Sequence, residues 1–327
     1  MKSNLPRTIA QSNITLAVAI VAYLLSFALL RHDVAGGGEG GLLWQWLHES
    51  MPALTTSRWT TLAMHVAALY MLLELDAVYA LIRVRTVSQL SLMLLLLAAM
   101  PTVFNVGAAS SAALFVFYSL FPFFSTYQSD KHSHKMMQAG VSLGIAALLM
   151  PCTLWLALLW VMMMPGMRNF TPRHLFALSW GVAIPFMAVA TYSYCTGRMD
   201  IITGALADVA AFDTIAYSGL DTRTVAGWCL MAFVTATSVT HAIYRSYDDK
   251  IKTRFLLYHL CWLAAMTVAA ATVMPDEATG LMTVAMMPAA MLAGHTVTLL
   301  DTRGGRNYVF VLLAAIIAVA AINIVTR

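Results

Sequence analysis

Two carboxylates, those of Glu74 and Asp76, lie well inside an apolar segment, in the run Leu-Leu-Glu-Leu-Asp-Ala. A carboxylate surrounded by hydrocarbon is so costly that it normally faces a bundle interior or a wet cavity, and both acids are therefore candidate substrate-binding residues. On a helix they point about 200° apart, so they cannot form one carboxylate pair. Asp76 instead shares a helix face with His65 and Arg83, which predicts a polar stripe that binds a headgroup or relays protons. In the competing interpretation, both acids pair with Arg83 or Arg85 at the end of the helix.

A second candidate is Asp33, which begins the first loop predicted to lie outside the cell membrane. A carboxylate base flanked by cations is the general layout of membrane glycosyltransferases that take a sugar from a polyprenyl phosphate. This layout predicts Asp33 as a catalytic base, with Arg31 and Arg58 binding the phosphate. The loop lacks the second acid of that class, so the analogy concerns layout alone.

The sequence contains no Walker motif, no GxGxxG and no GxSxG, and it therefore predicts no particular reaction and no cofactor. Four histidines lie in or beside predicted spans, and a single buried histidine is more often a packing residue than a ligand or base. The paired histidines of the basic loop, His132 and His134, are weak evidence for a metal, so no metal site is predicted. The four histidines are His65, His241, His259 and His295.

The composition places the chain in a membrane. Sixty per cent of the residues are hydrophobic, 10% are charged, and the mean hydropathy is +0.76, whereas about a quarter of the residues of a soluble domain are charged. The cations are dispersed between apolar segments rather than gathered on one face, which argues against a nucleic-acid partner. They indicate instead which loops lie in the cytoplasm.

An uncharged run from Met136 to Pro165 separates two basic segments, Lys131–Lys135 and Arg168–Arg173. A single crossing would put these segments on opposite sides of the membrane, against the preference of cations for the cytoplasm. The run is therefore predicted to be a short buried hairpin that enters the membrane and returns, with Pro151 ending its first arm. Each arm is too short to span the hydrocarbon alone, so other helices must surround it.

The pattern as a whole predicts an all-α polytopic transmembrane bundle, with about nine full spans plus the hairpin 136–165, in a single domain 1–327. The N-terminus is expected in the cytoplasm of a bacterial cell and the chain in its inner membrane. Loops 31–56 and 196–222 are predicted to be periplasmic, with short helices on the membrane surface or a flexible, anchored loop. The nine spans are Ile14–Leu30, Thr60–Ile82, Val87–Phe104, Ala109–Phe124, Leu175–Tyr194, Val225–Tyr244, Phe255–Met274, Leu281–Leu300 and Tyr308–Val325.

Five segments carry a set of apolar patterns, namely Pro101-Thr-Val-Phe-Asn105, Phe115–Lys135, Met137–Ala147, Arg173–Gly181 and Glu277–Thr296. These patterns resemble a family of multi-pass inner-membrane proteins of Bacteroidota whose members have no assigned activity. The resemblance implies a cell-envelope protein beside polyprenol-linked sugar metabolism, and it supplies no catalytic residues.

Three functions follow as hypotheses. The first is a cell-envelope factor that binds or processes a lipid-linked, polyprenyl-type substrate, with membrane lipids as its partners. The second is a small-solute or proton-coupled transporter that uses Asp76 and His65. The third is a non-enzymatic membrane scaffold, which the GxxxG pair Gly140 and Gly144 permits because small residues allow close helix packing.

Overall fold

The computed structural model describes residues 13–29, 40–84, 86–101, 103–129, 131–210, 217, 221–300 and 303–325, without the side chains of 29, 248 and 303–306. Within these ranges the structure is helical and contains no strand, so the predicted all-α class is confirmed. The α-helices are α1 (Asn13–Leu29), α2 (Leu42–Ser50), α3 (Pro52–Thr55), α4 (Arg58–Tyr79), α5 (Ser88–Ala99), α6 (Ala108–Tyr118), α7 (Leu120–Ser125), α8 (Ser133–Leu149), α9 (Ala157–Met163), α10 (Pro172–Thr196), α11 (Asp200–Ala210), α12 (Thr222–Tyr244), α13 (Ile251–Val273), α14 (Ala278–Leu299) and α15 (Arg303–Val325). Short 3₁₀ helices cover Pro151–Leu156, Ser246–Asp248 and Pro275–Glu277.

Seven described segments are long and apolar enough to cross a membrane, which fits a multi-pass membrane protein. The predicted count of nine spans is not confirmed. Helix α1 has 17 described residues and α5 only 12, which correspond to about 25 Å and 18 Å at 1.5 Å per residue. Both are shorter than a hydrocarbon core of about 30 Å. The two predicted spans that are not among these seven segments are Ile14–Leu30 and Val87–Phe104.

Prolines end or begin many of these helices. A clash with the proline ring disfavours the helical region for the residue that precedes a proline. Accordingly, each of these residues has φ between −138° and −120° and an extended or irregular ψ, and a helix ends or begins there. The five residues are Met51, Met100, Met150, Thr171 and Met274.

The two flanks of the predicted hairpin lie side by side. The backbone N–H of Gln128 donates to the carbonyl of Met167 at 3.0 Å, and the Asn169 amide donates to the Thr126 hydroxyl at 2.6 Å. The chain turns at Pro151, where α8 gives way to a 3₁₀ helix and then to α9. A segment that enters and returns requires this arrangement, and its position in a membrane stays a prediction.

The chain divides into two compact units. The first comprises Met1–Asp33, His65–Asn105 and Ile215–Arg327, and its core is α14, which is buried along almost its whole length. Helices α5, α12 and α13 pack on α14. Gly294 of α14 lies against the backbone of Gln89 so closely that a Cβ would clash. The prediction of a single domain stays a prediction.

The second unit comprises Val34–Met64 and Val106–Thr214, and its core is α8. Helix α8 packs along α10, where Gly140 and Gly181 face each other and a Cβ on either would meet the opposite backbone. The close packing predicted for the Gly140 and Gly144 pair is therefore confirmed. Loops 31–56 and 196–222 contain α2 and α11, and the location of these helices at the membrane surface stays a prediction.

In the first unit the chain after α5 is irregular from Met100 to Asn105, of which residue 102 is not described, yet it is buried. Irregular backbone inside a membrane is tolerated only where protein surrounds and satisfies it. Four side chains from four helices donate hydrogen bonds to carbonyls at the end of α5 and in the irregular segment. The pairs are Ser26 with Ala98, Asn323 with Ala99, Thr283 with Val103, and His65 with Phe104.

Candidate functional site

Ionisable side chains, of which Asp249 and His295 are buried, gather around Asp249 in the first unit. We name the group of Arg83, Asp249, His295, His241 and Asp76 the Asp249 cluster. Its members come from the loop after α4, the turn between α12 and α13, and the helices α4, α12 and α14. The sequence separates them by as many as 219 positions, from 76 to 295, so only the fold brings them together.

Asp249 occupies the turn that links α12 to α13. Its backbone N–H donates to the carbonyl of Ser246, which closes the 3₁₀ turn, and α13 begins two residues later at Ile251. The partial positive charge at the N-terminus of a helix favours an anion nearby. The local structure therefore directs this carboxylate toward the protein interior, where only 1% of its side chain is exposed.

The two carboxylate oxygens of Asp249 have different neighbours. Oδ1 accepts a hydrogen bond from Arg83 Nε at 2.6 Å, and Oδ2 lies 3.7 Å from His295 Nε2. Burial alone would raise the pKa of Asp249, but the interactions with His295 and Arg83 outweigh burial and hold this pKa below its usual value. The carboxylate is therefore charged at neutral pH, and Arg83, whose side chain is 37% exposed, connects it to solvent.

His295 lies on the central helix α14 and is fully buried. Its ring centre is 6.3 Å from that of His241 on α12. His241 lines a cavity of about 470 Å³, together with Thr237 and Tyr308, whose hydroxyls are 3.3 Å apart. Neither ring nitrogen of His241 has a hydrogen-bond partner within the described part of the protein. The two imidazoles therefore lie between the Asp249 carboxylate and a cavity.

Asp76 occupies the last turn of α4 and holds the reversal that follows it. Its Oδ1 accepts from the backbone N–H of Ile82 at 2.8 Å, and its Oδ2 accepts from the Gln89 amide at 3.2 Å. Between Asp76 and Ile82, the backbone of Ala80 has φ of +48°, in the left-handed region. His295 also interacts electrostatically with Asp76. Asp76 is thus both a structural acceptor and a member of the cluster.

The predicted stripe from His65 to Asp76 is not one site. Eleven helical residues separate them by about 16 Å along α4. His65 Nε2 donates to the carbonyl of Phe104 at 2.5 Å, so its Nδ1 accepts from the Tyr23 hydroxyl at 2.8 Å. His65 thus stabilises the irregular segment after α5, and these two hydrogen bonds do not reach the Asp249 cluster.

Of the remaining predicted residues, the two that the structure describes do not join the cluster. Glu74 is half-buried on α4, and Arg58 is exposed at the start of the same helix. Asp33 and Arg31, the predicted base and its neighbour, lie outside the described residues, and so does Arg85. The alternative pairing of Asp76 with Arg83 is not observed, because Arg83 binds Asp249.

Sequence reasoning missed Asp249, which lies in the most basic loop of the chain. An acid flanked by Arg245, Lys250 and Lys252 is most simply explained as a solvated counter-ion, and no spacing rule links it to Arg83, 166 positions away. The sequence feature that could have indicated Asp249 is its position immediately before an apolar helix. No three metal-ligating side chains gather among the residues that the structure describes.

Comparisons with known proteins add no constraint. No family model, no curated protein and no solved structure matches the chain. The resemblance to the Bacteroidota inner-membrane family therefore stays a prediction, and the function must be argued from the geometry.

Proposed function

We propose that this chain is a proton-coupled transporter of the bacterial inner membrane, with its N-terminus in the cytoplasm. The observation that carries the proposal is the position of Asp249, whose two carboxylate oxygens are divided between a partly exposed arginine and a fully buried histidine. Ionisable side chains in a membrane bundle are costly and typically mark ion or proton pathways. The transported solute is a small molecule whose movement is linked to that of a proton.

The order of the groups supports a proton relay. Arg83 reaches solvent, Asp249 follows, and His295 and then His241 lead to the cavity of about 470 Å³. Imidazole is the side chain that exchanges protons near neutral pH, and a carboxylate that stays charged favours the protonated form of an imidazole beside it. The separation of 3.7 Å between Asp249 and His295 exceeds a direct hydrogen bond. We therefore expect each transfer to require a small side-chain movement or a bridging water.

The test is proton movement into liposomes that contain the full-length protein and a trapped pH-sensitive dye. A potassium gradient with valinomycin supplies the driving force, and a panel of amino acids, sugars and carboxylic acids is added outside. In the wild type we expect at least one solute to move protons. Asp249→Asn and His295→Gln should slow this movement about tenfold or more, because the first removes the negative charge beside His295 and the second removes an imidazole that can carry a proton.

The matched control is His174→Gln. His174 is another fully buried histidine, but it belongs to the second unit and bonds to the carbonyl of Asn169. His174→Gln should leave proton movement unchanged, while its effect on folding should be comparable to that of His295→Gln. If no solute moves protons, or if the control lowers the rate as much as Asp249→Asn does, the proposal fails.

A lipid-linked, polyprenyl-type substrate is the second candidate. The observation that favours it is the open cavity beside His241, whose lining is mostly apolar and includes Ala236 and Leu300. Such a surface suits a hydrocarbon chain. Asp33→Asn provides the test, since unchanged envelope glycans in a strain carrying that variant would contradict this second function.

A further inference from the structure

Another cavity, of about 620 Å³, lies where α12 ends and is separate from the Asp249 carboxylate. This volume is within the range of about 300–1,000 Å³ that is typical of ligand pockets. It combines one guanidinium with several hydroxyl groups, and we name it the Arg245 cavity. Its lining residues are Ile243, Tyr244, Arg245, Ser246, Tyr247 and Tyr258.

The depth of the Arg245 cavity matches the headgroup layer of a membrane. Helix α12 has 23 residues and is about 34 Å long, slightly more than a hydrocarbon core of about 30 Å. Its last residue, Tyr244, therefore lies near the membrane surface. Tyr244 and Tyr247 are 82% and 86% exposed, and tyrosine is enriched at that level because its ring is apolar and its hydroxyl is polar.

The charge of this region favours an anion. The segment 245–254 contains four cations and two acids, and the Asp249 carboxylate is already paired with Arg83. Arg254 stacks on the ring of Tyr247, with 5.5 Å to the ring centre. Such basic segments beside a span attract anionic lipids.

An apolar surface adjoins the polar one. The cavity beside His241 shares Tyr244 with the Arg245 cavity. Its threonine hydroxyls are engaged by carbonyls of their own helices, as in Thr240 with Ala236, so its surface is mainly carbon. We propose that the Arg245 cavity binds the phosphate of an anionic phospholipid, with an acyl chain along the adjoining apolar surface. The phosphate site does not rest on the proton relay, although the acyl chain would lie along the cavity to which the relay leads.

The test measures the melting temperature of the full-length protein in a neutral detergent while dioctanoyl phosphatidylglycerol is added. Dioctanoyl phosphatidylcholine and glycerol 3-phosphate are added in parallel. We expect the anionic lipid alone to raise the melting temperature. Arg245→Gln should weaken the apparent affinity for it about tenfold, since one charge-assisted contact to phosphate is lost.

The matched control is Arg198→Gln, which removes an exposed arginine that follows another span. This variant should bind the lipid as the wild type does. If Arg245→Gln does not fold, Tyr258→Phe replaces it, with an expected loss of about threefold for one hydrogen bond. Three results would overturn the inference. They are equal stabilisation by phosphatidylcholine, equal stabilisation by glycerol 3-phosphate, which identifies a water-soluble phosphate ligand, or unchanged affinity in both variants.

Discussion

Asp249 is an acid in the most basic loop, and yet its side chain is buried while Lys250 and Lys252 are exposed. Removing a carboxylate from water costs several kcal/mol unless partners replace the lost hydration. Arg83 supplies a hydrogen bond of 2.6 Å, and His295 lies beside the second oxygen. The side chain therefore joins the loop after α4 to the turn before α13, whatever further role it has.

We expect Asp249→Asn to lower the free energy of unfolding by about 1–3 kcal/mol, because the substitution keeps the shape but removes the charge that offsets Arg83. Arg83→Gln should cost at least as much, because it leaves the Asp249 carboxylate, which is 1% exposed, without the charge that offsets its burial, whereas Arg83 is 37% exposed and water can replace part of its contact. Thermal unfolding in detergent measures both. The control is Asp276→Asn, an exposed acid outside the cluster, which should change stability by less than about 0.5 kcal/mol. A clearly smaller loss in Arg83→Gln than in Asp249→Asn would contradict this assignment.

The pH dependence of stability follows from the lowered pKa of Asp249. A carboxyl group with a lowered pKa in the folded state stabilises the protein above its ordinary pKa of about 4, and this contribution is lost as the pH falls through the lowered value. The stability difference between the wild type and Asp249→Asn should therefore stay level between pH 7 and 5, and it should shrink below about pH 4. Melting temperatures of both proteins across that range provide the measurement. A difference that grows as the pH falls from 7 to 5 would show that burial dominates and that the pKa is raised, because a carboxyl group with a raised pKa gains stability on protonation in the folded state.

The sequence could indicate Asp76 but not its partners. An acid in an apolar run is conspicuous because its burial is costly. Its hydrogen bond to Gln89 and its interaction with His295 depend on how α4, α5 and α14 pack, which helical periodicity does not determine. The grouping of His65 with Asp76 came from their shared helix face, but side chains about 16 Å apart on one face contact different neighbours.

At the level of the helices, long apolar segments were predictable and short ones were not. The spans predicted at Leu175–Tyr194 and Val225–Tyr244 agree within a few residues with α10 and α12. By contrast, the span predicted at Val87–Phe104 ends at Ala99, because Met100 precedes Pro101 and the following backbone is satisfied by side chains from other helices. Hydropathy does not distinguish a buried irregular segment from a helix.

The contact between α8 and α10 provides a test at this level. Gly140→Ala should lower the free energy of unfolding by about 1–3 kcal/mol, because the added Cβ overlaps the backbone at Leu178 and Gly181. Gly204→Ala is the matched control, since it lies in a helix with open space around it and should stabilise the protein by about 0.5–1 kcal/mol. Thermal unfolding compares the two variants. Equal effects of the two substitutions would contradict the close packing.

At the level of the whole chain, two contacts bear on which loops share a side of the membrane. Arg83 bonds Asp249, so the loop after α4 and the turn before α13 lie at the same end of the first unit. In the second unit Gln128 bonds Met167 across the two flanks of the hairpin. The predicted topology also puts the two members of each pair on the same side of the membrane. That prediction is based on the distribution of cations and not on contacts.

Cysteine labelling tests this topology. We expect single cysteines introduced at Ser129 and at Phe170 to react from the same side of membrane vesicles with an impermeant maleimide. Native Cys195, exposed near the end of α10, should react from the other side, because α10 has 25 residues and spans about 37 Å. In each of these proteins, every native cysteine other than the one being labelled is replaced by serine. Labelling of positions 129 and 170 from opposite sides would rule out the hairpin.

The irregular segment after α5 has a consequence for biosynthesis. The carbonyl of Val103 receives its hydrogen bond from a residue 180 positions later, and that of Ala99 from one 224 positions later. At about 5–20 residues per second, a ribosome needs about 10–45 seconds to reach the second donor. Until then these carbonyls have no partner from the chain, and lipid cannot provide one. Until α14 and α15 are synthesised, the nascent segment must therefore be in contact with water or with a chaperone. A protein truncated before α14 lacks both donors and should be a substrate for membrane proteolysis.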